Sequence, residues 1–246
     1  MTTAPTRAPT RATTSLTCLT CPGRESSEWC ALARDDLPTL EQARTERVYR
    51  PGEVIFHQGS PCFGVHCVAS GTVALRRVDA EGRSVIVRLV HPHETLGART
   101  LLGGGTYAST AEALTEARVC LIERPAVKAL LARSPGLALR FLRRLAEDLR
   151  AADDEKLERA TLQVRARLAR LLLGLLERYG VDAGVGAFTL ELPLARQDMA
   201  ALLGVRPESV ARAVRALGDD GVARFRGRAV EVPSIDRLLA ELPAGA

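Results

Sequence analysis

Apolar positions along this chain change their period as the sequence proceeds. From Arg47 to about Ile122 they fall in short alternating runs: VYRPGEVIFHQG, CVASGTVALRRV, EGRSVIVRLV, TLGARTLLGG and ARVCLIE. Val85, Val87 and Leu89 alternate with Ile86, Arg88 and Val90, the two-residue period of a strand buried on at least one face. Gly52, Gly59, Gly71, Gly82 and Gly97 punctuate the runs at the spacing of an antiparallel barrel or jelly roll. At Pro125 the period becomes helical, and from Gly136 to near Tyr179–Gly180 few breakers interrupt it. Pro135 and Gly180 mark the approximate ends, with a kink or short loop expected near Thr161. Leu142, Leu145, Leu149, Asp153, Leu157, Ala160 and Val164 share one stripe of this stretch. A narrow apolar stripe on a long helix predicts packing against a second copy, with packing onto the β domain as the alternative. In such a pairing Asp153 brings two like charges together, which costs stability unless relieved.

The pattern shortens again from Leu194 to Leu217, LARQDMAALLGVRPESVARAVRAL. Leu194, Met199, Leu202 and Leu203 give one apolar face; Gly204 permits a sharp turn because it tolerates positive φ. Pro207 suits the first turn of a second helix, in which Val210, Ala213, Val214 and Leu217 recur at helical spacing. Glu208, Arg212 and Arg215 lie on other faces, the layout of a helix-turn-helix that presents polar side chains to a DNA groove. An ordinary αα-hairpin is the alternative. VARFRGRAVEV, Val222 to Val232, reads as a β-hairpin turning at Gly227, a wing whose Arg224, Arg226 and Arg228 reach phosphates.

Composition changes little of this picture. In 246 residues, 46% hydrophobic and 26% charged, there is room for a sizeable core. The net charge of +5 suits an anionic partner and is weak evidence by itself. The run Leu168–Leu176 is short and contains Arg170, so it does not span a bilayer. The N-terminus lacks the apolar region of a signal peptide, which places the protein in the cytoplasm. There, six cysteines point to metal binding or redox chemistry rather than structural disulfides. Cys18 and Cys21 form a C-x-x-C and Cys30 follows nine residues after Cys21. Thiolates so spaced converge on one soft metal centre that still needs a ligand from Cys62, Cys67 or Cys120. Zinc is an alternative occupant, and solvent-facing thiols on a loose arm are the bland reading. The sequence has no Ser/His/Asp constellation, phosphate-cradling glycine loop or H-E-x-x-H, so no enzyme is expected.

A glycine-punctuated β-roll, a long helix and a winged helix-turn-helix, in this order, resemble the CRP/FNR family of bacterial transcription regulators. The resemblance spans about Leu16 to Leu242 and is carried by RPGEVIFHQG, SGTVALRR with EGRSVIVRLV, and QDMAALLGVRPESVARAVRAL. It implies an α+β chain: a jelly-roll, cyclic-nucleotide-binding-like sensor, a dimerisation helix and a C-terminal reader of an inverted repeat. FNR-like members carry Glu-x-x-Ser-Arg on the recognition helix; here Glu208, Ala211 and Arg212 stand there, with Ala211 in place of the serine. Glu208 accepts from a cytosine amino group, Arg212 donates to guanine, and the Ala211 methyl suits a thymine. With Ser209, Arg215 and Arg226 they form the expected DNA-contacting set.

Cyclic-AMP-responsive members of the family present a glutamate just after a glycine and an arginine about ten residues on. Here Ala98 follows Gly97, and the arginine region reads Tyr107-Ala108-Ser109-Thr110, so a buried cyclic phosphate has no partner there. His57, His66, His91 and His93 are too scattered to favour haem. Oxygen-sensing FNR-like members use three N-terminal cysteines and one from the roll, which implies Cys18, Cys21, Cys30 and Cys120 as ligands of a 4Fe–4S cluster. The gap before Cys30 exceeds the usual FNR spacing, Cys62 is the alternative fourth ligand, and Cys67 reads as a small buried hydrophobe. A zinc or thiol-redox sensor, or a small effector in the roll with no cluster, is the alternative function. The expected division is a disordered tail (1–15), a cysteine arm (16–46), the roll (47–134), a dimerisation helix (135–160) contacting its copy through Leu142, Leu145, Leu149, Asp153 and Leu157, and the DNA-binding domain (161–246). Expected partners are double-stranded DNA, a second copy and RNA polymerase, with no membrane.

Overall fold

In the computed structural model, residues 17–184 and 186–243 are described; the expected tail at 1–15 lies outside them. Three single 3₁₀ turns, Pro22–Arg24, Glu28–Ala31 and Arg34–Asp36, carry the arm into α1 (Leu37–Gln42). The roll follows as β1 (Arg44–Tyr49), β2 (Val54–Phe56), β3 (Gly64–Ser70), β4 (Val73–Val78), β5 (Ser84–Val90), β6 (Thr95–Leu96), α2 (Ala98–Gly103), β7 (Thr110–Ala113), β8 (Ala117–Glu123) and α3 (Arg124–Arg133). Then come α4 (Pro135–Thr161), α5 (Val164–Tyr179), β9 (Val181–Gly184), β10 (Ala187–Glu191), α6 (Arg196–Leu203), α7 (Pro207–Asp219), β11 (Arg224–Arg226), β12 (Ala229–Val232) and α8 (Ile235–Leu239).

The roll folds as two antiparallel sheets, ordered β1-β8-β3-β6 and β2-β7-β4-β5. Val68, Val73, Val90, Ala111 and Val119 close its interior. Its turns depend on glycine: at Gly71 φ is +84°, and an added Cβ would lie 2.3 Å from the Glu116 carbonyl oxygen. A side chain there is therefore excluded twice over, by backbone and by space.

The helical stretch is not continuous. Leu162 (ψ 140°) and Gln163 (ψ 157°) are extended, so α4 ends at Thr161 and α5 belongs to the C-terminal core with Leu168, Leu172, Met199, Val210, Leu217 and Val230. At the other end of α4, Leu137 and Phe141 are buried in a separate core built from the arm, α1 and α3. There Trp29 meets Phe141 edge-on, ring centroids 5.4 Å apart, a favoured aromatic geometry. Between these ends α4 exposes an apolar stripe: Leu142, Leu149 and Leu157 are each at least 60% exposed, while Leu145 is half-buried. Asp153 points to solvent beside Lys156, 2.9 Å away. Among the described residues no helix is long and apolar enough to cross a membrane.

Two buried histidines set an acid limit. Burial lowers His66 from 6.5 to about 4, and burial followed by the Arg178 charge does the same for His91. The unfolded chain binds more protons between these values, so this contribution is full above about pH 6.5 and fades toward pH 4. The urea midpoint should fall over that window, and less steeply in His91→Gln; an equal slope in the variant refutes the assignment. Phe141→Ala should cost about 3–5 kcal/mol and red-shift the emission of Trp29, the single tryptophan; unshifted emission would mean that other contacts hold the arm.

Candidate nucleic-acid interface and thiol site

The reading helix is positioned by its own apolar face. Val210, Ala213, Val214 and Leu217 of α7 are buried, which leaves Glu208, Ala211, Arg212 and Arg215 exposed. Gly204 makes the turn from α6 with φ +63°, and the Val205 N–H returns to the Ala200 carbonyl at 3.1 Å. Pro207 starts α7, where a missing N–H costs nothing. Arg212 Nη2 donates to Ser209 Oγ at 3.1 Å, so the half-buried serine steers the guanidinium rather than standing free. The wing turns at Gly227 (φ +66°) within the sheet β11-β12-β10-β9, and Arg224, Arg226 and Arg228 are exposed on it. Five exposed cations thus flank one exposed carboxylate, an arrangement for a polyanion with base-edge groups at its centre.

The arm is fastened to the roll by polar contacts. Gly23 sits against the His93 ring, too close for any side chain, and Ser26 Oγ lies 2.9 Å from His93 Nδ1. His93 has φ 75°, the one positive value outside glycine among the described residues. Buried Glu28 accepts from Thr95 Oγ1 at 2.7 Å; within the arm itself, the Cys18 N–H donates to Glu41 of α1 at 2.5 Å.

These contacts bring thiols together. Cys18, Cys21, Cys67 and Cys120 line one cavity of about 50 Å³, with Arg44, Trp29 and His93 in its wall. Cys30 does not line it; the thiol sits half-buried in the second 3₁₀ turn. Cys62 is elsewhere in the core and donates to the Gly64 carbonyl at 3.3 Å. Arg44 Nη1 approaches Cys120 Sγ at 3.3 Å. Burial, and then Glu41, push Cys18 up to about 12; burial also raises Cys120 against the pull of Arg44, and raises Cys67. These are neutral thiols that a thiophilic ion would have to deprotonate. Among the described residues no group of three or more His, Cys, Asp or Glu is already arranged to hold a metal ion. The donors nonetheless fit one chemically: soft sulfurs in a largely apolar cavity, a guanidinium to offset thiolate charge, and a buried Trp29 indole N–H with no hydrogen-bond partner.

A larger cavity, about 570 Å³, separates the roll from α4. Ala98 and Ser109 line it, as does Tyr107, stacked on Phe56 at 3.8 Å. Sequence reasoning found no cation at Tyr107–Thr110 and missed those arriving from other elements: Arg77 from β4, Arg99 from α2 and Arg144 from α4. Only strand pairing and helix packing bring them together, so no local signal marks them. The scattered histidines do not converge: His66 is buried beside Phe56, and His91 Nδ1 is 2.5 Å from the Tyr179 hydroxyl.

Residues 46–134 match the cyclic nucleotide-binding domain model and residues 166–241 the Crp-like helix-turn-helix domain model. The transcriptional activator protein FnrL of Cereibacter sphaeroides is 31% identical over 91% of each chain. A CRP-like cAMP-activated global transcriptional regulator of Mycobacterium tuberculosis is 28% identical over 76% of this chain and 83% of its own. The structure of FixK2 from Bradyrhizobium japonicum superposes with a TM-score of 0.73 at 28% identity, covering 82% of this chain and 99% of that one. Both domain models in this order and a relative matched almost end to end give one conclusion: the chain belongs to the CRP/FNR family of DNA-binding transcription regulators, not enzymes.

Proposed function

We propose that this regulator acts as a homodimer on an inverted-repeat operator and is switched by a 4Fe–4S cluster held by the thiols of the arm and the roll. The observation that carries the sensor reading is that Cys18 and Cys21 share a cavity with Cys120, about a hundred residues away in sequence. The resemblance to FNR-like members supplies Cys30 as the further ligand, outside that cavity. A bound cluster supplies an oxidisable, oxygen- or nitric-oxide-sensitive centre. The chain's own residues do the rest. Arg44 offsets negative charge at Cys120, while Glu28 and Trp29 hold the arm on Thr95 and Phe141. The exposed leucines of α4, Leu142, Leu149 and Leu157 with Leu145 beside them, are the surface for the second copy, and Asp153 between Leu149 and Leu157 keeps that association conditional. Glu208 and Arg212, with Ser209, Ala211, Arg215 and Arg226 around them, read one half-site, and two α7 helices reach half-sites about one helical turn apart. RNA polymerase is the further partner and the cytoplasm the working compartment. The cavity's small volume, about 50 Å³, favours a second reading, one zinc ion on the same thiols.

Arg212→Ala should weaken operator binding by about 1–3 kcal/mol per half-site and blunt discrimination at one base pair. A titration by gel shift on matched and mismatched operators checks this, and a uniform loss across sequences would make Arg212 a phosphate contact instead. Anaerobically purified protein should be brown, dimeric by gel filtration and tight on its operator; air should bleach it and weaken both associations. Colourless protein carrying zinc selects the second reading, and bleaching with unchanged dimer and affinity removes the switch.

A further inference from the structure

The last turn of α4 reaches across the break at Leu162 and Gln163 with two charged side chains. Glu158 accepts from Arg170 Nη1 of α5 at 2.8 Å. Arg159 Nη2 donates to the Leu202 carbonyl of α6 at 3.2 Å and to Glu155 Oε1 of its own helix at 2.5 Å. The Leu202 carbonyl belongs to the last turn of α6, where backbone acceptors have no partner within the helix. Its neighbour, the Leu203 carbonyl, accepts from Arg167 Nη1 of α5 at 2.9 Å. Two cations placed there also suit the negative end of the helix dipole. The Arg159 guanidinium lies against the turn itself, since a Cβ built on Gly204 would sit 3.4 Å from its Nη1.

Apolar packing does not fill this junction. Glu155, Arg159, Arg167 and Leu202 border a cavity of about 190 Å³ between α4, α5 and α6, so the guanidinium crosses a gap rather than a packed interface. Glu155 and Arg159 also line the larger cavity between the roll and α4, which puts their contact in line with that face of α4. At its other end α6 is held by the roll. Arg76 Nη2 bonds Asp198 Oδ1 at 2.6 Å, while Asp198 Oδ2 accepts the Ala195 N–H at 2.9 Å. A helix of eight residues fixed at both ends has one orientation. The reading helix follows it, because Met199 and Leu203 of α6 share a core with Val210 and Leu217 of α7.

Resting on the reading of α7 as the helix that enters the operator, we propose that Arg159 is a positioning residue. It fixes the α6–α7 turn to the end of α4 and so sets how Glu208 and Arg212 are presented. The probe is an inverted-repeat duplex selected from a random-sequence pool by the anaerobically purified, unaltered chain. An unaltered chain that selects no sequence fails the operator reading itself, and the proposal with it, before any variant is compared. Arg159→Ala should bind the selected duplex about tenfold more weakly. Its salt slope should not change, because Arg159 meets protein and not phosphate. Arg159→Lys, which still offers a donor to one carbonyl, should recover most of the loss. Unchanged affinity in Arg159→Ala overturns the proposal, as does Arg159→Lys binding no better than Arg159→Ala. A salt slope lower by about one per half-site, the mark of a phosphate contact, overturns it too. Amide hydrogen exchange without DNA gives a second measurement. Gly204 and Val205, whose N–H groups bond the Ala200 carbonyl, should exchange faster in Arg159→Ala and at the original rate in Arg159→Lys. Leu168 and Leu172 in the α5 core should not change. Acceleration that spreads into α5 makes Arg159 a general stability contact and overturns the assignment, and so does unaltered exchange at the turn.

Discussion

One buried carboxylate ties the three working parts of this molecule together. Glu94, only 8% exposed, is met by Arg88 of β5 at 2.8 Å, Arg144 of α4 at 2.9 Å and Arg178 of α5 at 3.7 Å. Arg88 and Arg144 share a second partner, Asp148 of α4. Burying a charge costs several kcal/mol unless it is paired, so the three guanidiniums are not interchangeable decoration. Roll, long helix and DNA-binding part must keep their relative places for that charge to stay satisfied. Arg76 makes a parallel link, bonding Glu112 of the roll and Asp198 of α6, both at 2.6 Å. A regulator whose halves were joined by apolar packing alone would slide at little cost. Here a shift of α4 by one turn leaves charges stranded, which favours two discrete arrangements over a continuum.

Much of the fold was legible because its periods are those of the backbone. The alternation at Val85–Val90 marked β5, the glycines marked roll turns, and the spacing of Val210, Ala213, Val214 and Leu217 marked the buried face of α7. Each signal is local, set by side-chain direction within one element. The break after Thr161 was also foreseen, with the residues after it assigned to the DNA-binding part that α5 packs into. The Glu94 cluster was invisible, because Arg88 lies 6 residues before the carboxylate and Arg144 and Arg178 lie 50 and 84 after it, and no period connects them.

The thiol site shows where local reading stops. Alternation along β3 told only that Cys67 faces one side of a sheet, and a small buried hydrophobe was the natural reading. Which side it is, and that Cys120 sits opposite, follows from the pairing of β3 with β8. Spacing in the arm grouped Cys30 with Cys18 and Cys21, but the 3₁₀ turn that holds Cys30 is governed by Trp29 and Glu28 on either side of their own anchors.

Thr95 touches the arm, the thiol-bearing strand and the larger cavity at once. Its hydroxyl donates to Glu28 of the arm, its strand position pairs with Cys67, and the residue also borders the larger cationic cavity. The next residue back is Glu94. A change in the arm that pulls on Glu28 therefore acts within one residue of the carboxylate that fixes α4 and α5, and so does anything that fills the cavity beside Arg144. A centre on the thiols on one side of β6, as proposed above, and a ligand in the cavity on the other would reach the same ion-pair cluster by short paths. A change that biased the packing of α4 against Glu94 would be felt by α5 through Arg178 of the same cluster.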